Sequence, residues 1–228
     1  MYGIINNYEF TICMDILCDK LMKFHLYDSM ELIDSTIDLY IDESNVDDLY
    51  TCKLCDTLVI SSTLYHSLTD VVFCETISVL DLSNNKPFYE NKGNNPLNVL
   101  INLKKLYLDN VNLNLLSGLN CSNMKKLTNL SLSNNDLLSI DGIGIDKLDH
   151  IKHLNISGND EDILNSYELY NSNIKSLNIS YCTTSGWFLY RDEIMKTKIK
   201  ILLIDNILND EEKRFLGSIN CKYIIVDM

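Results

Sequence analysis

The chain has 228 residues, 46% of them hydrophobic, enough for one large domain with a buried core. Its formal net charge of −13 is repelled by phosphate backbones, which argues against general nucleic-acid binding. No run of about 18 apolar residues offers a membrane span, no basic stretch followed by an apolar one marks a secretory signal, and the eight scattered cysteines then read as buried free thiols of a reducing compartment, cytoplasmic or nuclear.

The charge is uneven. Residues 1–50 hold eleven acids against two lysines, a balance of −9, and the rest of the chain carries −4. Within this segment Ile12, Ile16, Leu17, Leu21 and Phe24 follow helical spacing, which predicts an amphipathic helix over Phe10–Phe24. Asp28 or Ser29 is placed to cap a second helix running to about Ile37. Residues 1–50 are therefore expected to form a helical N-terminal cap with a solvated acidic face. Ile37-Asp-Leu39-Tyr-Ile41 reads as a degenerate copy of the pattern that follows.

Residues 51–228 are repetitive. Ile77-Ser-Val-Leu80-Asp-Leu82-Ser-Asn-Asn85 fits L-x-x-L-x-L-x-x-N. So do Leu127–Asn135, Ile151–Asn159 and Ile174–Cys182, the last with Cys in the Asn slot. Weaker copies start at Cys55, Leu103, Ile199 and Cys221; Val111 and Ile207 stand in the Asn slot of the second and third. Starts at 55, 77, 103, 127, 151, 174, 199 and 221 are separated by 22 to 26 residues. Each L-x-L is a short strand with alternate side chains inward. The Asn amide is suited to satisfying backbone groups at a turn that water cannot reach. Apolar residues at every third position, Leu113, Leu116, Leu119 and Leu137, Ile140, Ile143, suit a 3₁₀ or short helical return. One such unit cannot bury its apolar face alone, so the units must stack. Near the end, Asn209 before Asp210, Glu211 and Glu212 is a helix start, with Phe215 and Leu216 turned inward before the last strand.

These residues resemble the leucine-rich-repeat superfamily, nearest to its short-repeat intracellular class, over about residues 55–228. The resemblance implies an α/β solenoid of about eight repeats: a horseshoe or arc with a parallel sheet on its concave face. It also implies a protein-binding role without catalysis or cofactor. The N-terminal run Thr11-Ile12-Cys13-Met14-Asp15-Ile16-Leu17, with Leu21 and Lys23-Phe24, resembles the elongin-binding box of cullin-ligase substrate receptors, in which Cys13 and Leu17 would be anchors. Asp15-Ile16-Leu17 and the Ser29–Ile37 segment are similar to an F-box. Both families place such a box before leucine-rich repeats. The implied partner is elongin C or an F-box linker, docking at Cys13, Leu17 and Leu21. A regulator that blocks a phosphatase or nuclease is a third reading.

Candidate binding residues follow from the repeat. The residue after the first apolar position is Lys104, Lys152, Lys175, Lys200 and Lys222, with Thr128 interrupting, and stacking aligns them as a positive row that steers an acidic partner. The residues flanking the middle apolar position face the concave side, among them Tyr107, Asp109, Ser131, Asn155 and Asn178. His153 is expected there beside Asn129 and Ser176, with no acid or nucleophile of a catalytic triad next to it. Cys52-x-x-Cys55 lacks the further ligands that zinc requires. The Asn-x-Ser sequons at Asn120, Asn129, Asn155 and Asn178 are by-products of the repeat or its flanks. Asp160-Glu161-Asp162 reads as a solvated loop and Trp187-Phe188 as core on the return layer.

Overall fold

A computed structural model describes residues 2–5, 8–11, 38–41, 56–60, 75–85, 96–112, 119–182, 191–204, 209–219 and 221–225. Tyr2–Ile5 (β1) and Tyr8–Thr11 (β2) form an antiparallel hairpin. The alternation Tyr8-Glu-Phe10-Thr is strand-like over four residues, so Phe10 and Thr11 are strand where helical spacing had assigned them to a helix. β2 lies against the next strand, Asp38–Ile41 (β3). The described part of the N-terminal cap is therefore β-structure; residues 12–37, with both expected helices, lie outside the described residues.

From β3 onward every strand is parallel to its predecessor. Thr57–Ile60 (β4), Val79–Asp81 (β5), Lys105–Tyr107 (β6), Asn129–Ser131 (β7), His153–Asn155 (β8), Ser176–Asn178 (β9), Ile201–Ile204 (β10) and Lys222–Ile225 (β11) continue it into one nine-stranded sheet in chain order. The degenerate copy at Ile37–Ile41 is thus a strand, with Leu39 paired to Leu58. Register holds the middle apolar residue in one column: Leu58, Leu80, Leu106, Leu130, Leu154, Leu177 and Leu202 are paired neighbour to neighbour and all buried. Parallel columns flank it, Ile77–Leu103–Leu127–Ile151–Ile174–Ile199 before and Leu82–Leu108–Leu132–Ile156–Ile179–Ile204 after, again buried throughout.

The last copy is displaced by one residue. Tyr223, not Ile224, pairs with Leu202, and Lys222 pairs with Ile201, so Lys222 leaves the lysine row. The run Ile224-Ile225-Val226 is apolar in either phase, so alternation alone does not choose the register.

Beyond each of the strands β5 to β9 the backbone makes a left-handed step. Asn84, Asn110, Asn134 and Tyr181 have φ of 61°, 53°, 55° and 58°, and Gly158 has φ of 66°. The step keeps the ladder going: the amides of Asn84, Asn110, Asn134 and Gly158 donate to Asp109, Ser133, Ser157 and Ser180 carbonyls of the next repeat. Asparagine tolerates this region and glycine suits it. At Gly158 a Cβ would lie 2.0 Å from Asn134 Oδ1, so a side chain there requires the exposed Asn134 amide to turn aside.

The Asn slot then turns inward. Asn159 Nδ2 donates to the Leu132 and Ile156 carbonyls, and its Oδ1 accepts from the Asn135 and Leu137 amides. Asn135 does the same one repeat earlier, donating to the Leu108 carbonyl and accepting from the Val111 amide. Cys182 Sγ takes the place of the amide, 3.1 Å from the Ile156 carbonyl.

The return layer holds three α-helices among the described residues: Tyr167–Asn171 (α1), Arg191–Lys196 (α2) and Asp210–Ser218 (α3). It also holds 3₁₀ turns at Pro96–Val99, Ile145–Lys147 and Glu161–Asn165. Leu137, Ile140 and Ile143 are buried as their spacing requires, but the 3₁₀ turn begins after them, at Ile145. Leu113 and Leu116 are not among the described residues. α3 opens with a full capping box: Asn209 accepts from Glu211 and Glu212 amides, and Glu212 accepts from the Asn209 amide. Leu216 is buried and Phe215 half-buried beside it.

A buried carboxylate ties two return segments together. Glu168 of α1 accepts from the backbone amides of Gly142, Gly144 and Ile145, while its own amide donates to Asp141. Three N–H donors satisfy most of what such a group loses on leaving water. Among the described residues no helix is long and apolar enough to cross a membrane.

Candidate functional site

The side of the sheet opposite the leucine columns stays accessible. Two rows of side chains cross it at right angles to the strands. The first runs Val79, Lys105, Asn129, His153, Ser176, Ile201 and the second Asp81, Tyr107, Ser131, Asn155, Asn178, Leu203. All of these except Ser131 are exposed or half-exposed. Tyr107, His153, Asn155 and Asn178 are thus brought onto one face, and His153 sits between Asn129 and Ser176 as the repeat requires.

Much of that polarity is already committed. Asn155 Oδ1 accepts from the Ser157 amide and hydroxyl, and Asn178 repeats the arrangement with Ser180. Asp109 Oδ1 accepts from Ser131 Oγ at 2.6 Å and from the Ser133 amide at 2.7 Å. Ser131 Oγ also accepts from Asn155 Nδ2, which leaves Ser131 only 6% exposed. Ser131 was expected to offer a hydroxyl to a ligand; it instead joins Asp109 to Asn155 across two strand gaps. The Asx turns explain why asparagine recurs beside the strands: its short amide reaches the backbone two residues on.

Tyr107 is the aromatic residue of these two rows between β5 and β10; Tyr40 of β3 holds the same register position at the far end of the sheet. Tyr107 is half-buried, and its phenol is held above its ordinary pKa, first by burial and then by Asp81 and Asp109. It remains protonated and is a hydrogen-bond donor at neutral pH.

The lysine row lies where the strands begin. Lys104, Lys152, Lys175 and Lys200 are exposed, and their backbones are linked through Thr128: each amide donates to the carbonyl of the preceding residue in the row. Thr128 uses its hydroxyl internally, on the Lys104 carbonyl and Asn129. The row is part of a wider edge that the column pattern alone did not mark. Lys105 lies beside Lys104, Lys125 and Lys126 precede β7, and Lys196 and Lys198 precede β10. Lys126 Nζ donates to Asn102 and Lys198 Nζ to Asn173, the same contact made in two places. Its signal in the sequence is an Asn or Lys directly before the first apolar residue of the repeat.

Cys13, Leu17 and Leu21 lie outside the described residues, as do Cys52, Cys55, Trp187 and Phe188. Cys121 and Cys182 are buried free thiols, and burial pushes the Cys121 thiol up to about 12. Asp160 is a turn cap rather than a free acid, since it accepts from the Asp162 amide. Among the described residues no group of three or more His, Cys, Asp or Glu side chains is placed to hold a metal. No protein-family model matches the chain, and none of the curated proteins does.

Proposed function

We propose that this chain is a leucine-rich-repeat solenoid that binds another protein across the accessible face of its parallel sheet. The observation that carries the reading is that face itself: neighbouring strands present aligned, accessible side chains, with no described element packed over them. The left-handed step after β5 to β9 and the inward Asn slot support the repeat assignment, because both recur at the spacing of the sequence motif. Repeat proteins bind across such extended surfaces.

Binding energy concentrates on aromatic side chains, while exposed charges act mainly on encounter. Tyr107 is therefore the expected centre, with Lys104 and Asp109 beside it and Lys152, His153, Asn155, Lys175, Asn178 and Lys200 extending the surface. The test has two steps. Affinity purification from the native cell with mass spectrometry identifies the partner, and titration of that partner follows. Tyr107→Ala is expected to weaken binding by about 2 kcal/mol, roughly thirtyfold. Lys152→Glu with Lys175→Glu is expected to slow association. Unchanged affinity in both, with normal melts, would move the binding site to another surface.

A further inference from the structure

In a parallel sheet every strand starts on the same edge, so a bias in where charge falls within the repeat becomes a bias in space. The bias here is large. The windows 100–105, 124–129, 148–153, 171–176 and 196–201, which lead into β6 to β10, contain nine lysines and one acid, Asp149. All nine lysines are exposed. Positions five to twelve of the same five repeats, residues 107–114, 131–138, 155–162, 178–185 and 203–210, contain seven acids and no lysine or arginine. A chain of net charge −13 thus carries a basic edge where its strands begin.

The row Lys104, Lys152, Lys175 and Lys200 within that edge is not neutralised from within. Among the described residues, Lys104, Lys105, Lys152, Lys175 and Lys200 make no ion pair; the salt bridges there belong to Arg191 and Lys213, away from the row. Lys126 and Lys198 are held by Asn102 and Asn173, neutral partners that orient the ammonium and leave its charge uncompensated.

We propose that this edge is the docking site for an acidic α-helix of a partner protein, lying across the strands with a carboxylate stripe against Lys104, Lys152, Lys175 and Lys200. The proposal rests on the protein-binding reading and names the partner's chemistry. Spacing selects the helix. Strands lie about 4.8 Å apart, so the row from Lys104 to Lys200 spans four steps, roughly 19 Å. Carboxylates at i, i+3 and i+4 on a helix recur every 5.4 Å or so, a drift of about 2.4 Å over four steps, which flexible lysine stems absorb. In an extended chain same-side residues recur about every 6.6 Å, a drift of roughly 7 Å, more than a whole strand spacing. Acids that follow β6, β7 and β8, among them Asp109, Asp136, Asp160 and Asp162, oppose a polyanion broad enough to cover both edges, and favour a rod one helix wide.

The probe is a synthetic helical peptide of about 14 residues, the length that spans the row, with Glu at i, i+3 and i+4 spacing. It is measured by fluorescence anisotropy against the full chain. The comparisons are a peptide of equal composition with Glu at every second position and a single-stranded oligonucleotide of equal charge. The helical peptide is expected to bind at least tenfold tighter than the alternating one, and to lose at least tenfold when NaCl rises from about 50 to 300 mM. Lys104→Gln, Lys152→Gln, Lys175→Gln and Lys200→Gln together should lower its affinity at least tenfold, while Lys213→Gln on α3 leaves it unchanged. Equal binding of the two peptides, tighter binding of the oligonucleotide, or an unaffected quadruple variant each overturns the proposal. A native partner that still binds the quadruple variant normally but loses Tyr107→Ala would overturn it while leaving the protein-binding reading intact.

Discussion

At the scale of single residues, the fold depends on side chains that serve the backbone of a neighbouring repeat. Asn159 bonds four backbone groups, two of them donors and two acceptors, in an interior without access for water. Asn159→Ala removes this partner from all four groups, of which the Ile156 carbonyl keeps Cys182 Sγ, and each buried group that loses its hydrogen bond costs about 1 kcal/mol or more. A loss of about 3 kcal/mol is expected in urea unfolding; a loss under about 1 kcal/mol would mean that water or a shifted backbone replaces the amide. Cys121 gives a pH dependence. Its thiol stays neutral in the folded chain up to about 12, whereas in the unfolded chain it ionises from about 8.5. Over that window the folded state holds the extra proton, so stability is complete below it and falls as pH rises through it. Melts of the native chain and Cys121→Ala between pH 8 and 11 should converge as the native chain loses this contribution; parallel curves would rule it out. The Asn slot was legible in the sequence because its chemistry repeats at a fixed offset. Glu168 was not, because its partners are backbone amides 23 to 26 residues earlier, which leave no mark in the side chains.

At the scale of elements, the strands of the middle repeats were legible and those of the ends less so. A three-residue strand such as Asn129–Ser131 is weak alone; its place is fixed by one leucine inserted between two others. Leu130→Ala opens a cavity between Leu106 and Leu154 and should cost about 3 kcal/mol, read as a lower urea midpoint. The same change in Leu58, nearer the end of the stack, should cost less if end repeats fray; equal losses would show that the whole array unfolds as one unit. The ends were harder to read for physical reasons. Phe10 satisfies helical spacing with Ile16 and Leu17 and strand alternation with Tyr8, and four residues cannot decide between them. Ile224-Ile225-Val226 allows two registers equally. The candidate face was legible in position, since period two dictates which residues turn outward. The internal use of Ser131 was not, because it depends on contacts between strands 22 or more residues apart.

At the scale of the molecule, side-chain hydrogen bonds between repeats close sequence distances of 22 to 27 residues among the described residues, one repeat and no further. Each repeat therefore depends on its neighbours and on nothing beyond them. Removal of residues 103–126 joins Asn102 to Leu127 in phase and brings the Asn135 side chain to the repeat that ends at Asn85. It also removes Val111, which interrupts the line of amides. The shortened chain is expected to fold with one strand fewer, by circular dichroism and size-exclusion chromatography, and to lose partner binding with Tyr107. Aggregation or an unfolded spectrum would show that the copies are not interchangeable. If they are, the chain can change by whole units in one recombination event between similar coding segments, and each product starts life folded. Point substitution has no such freedom, because every slot is shared with the copies on both sides. Evolution of the reach of this molecule along a partner would then proceed by changing the number of copies.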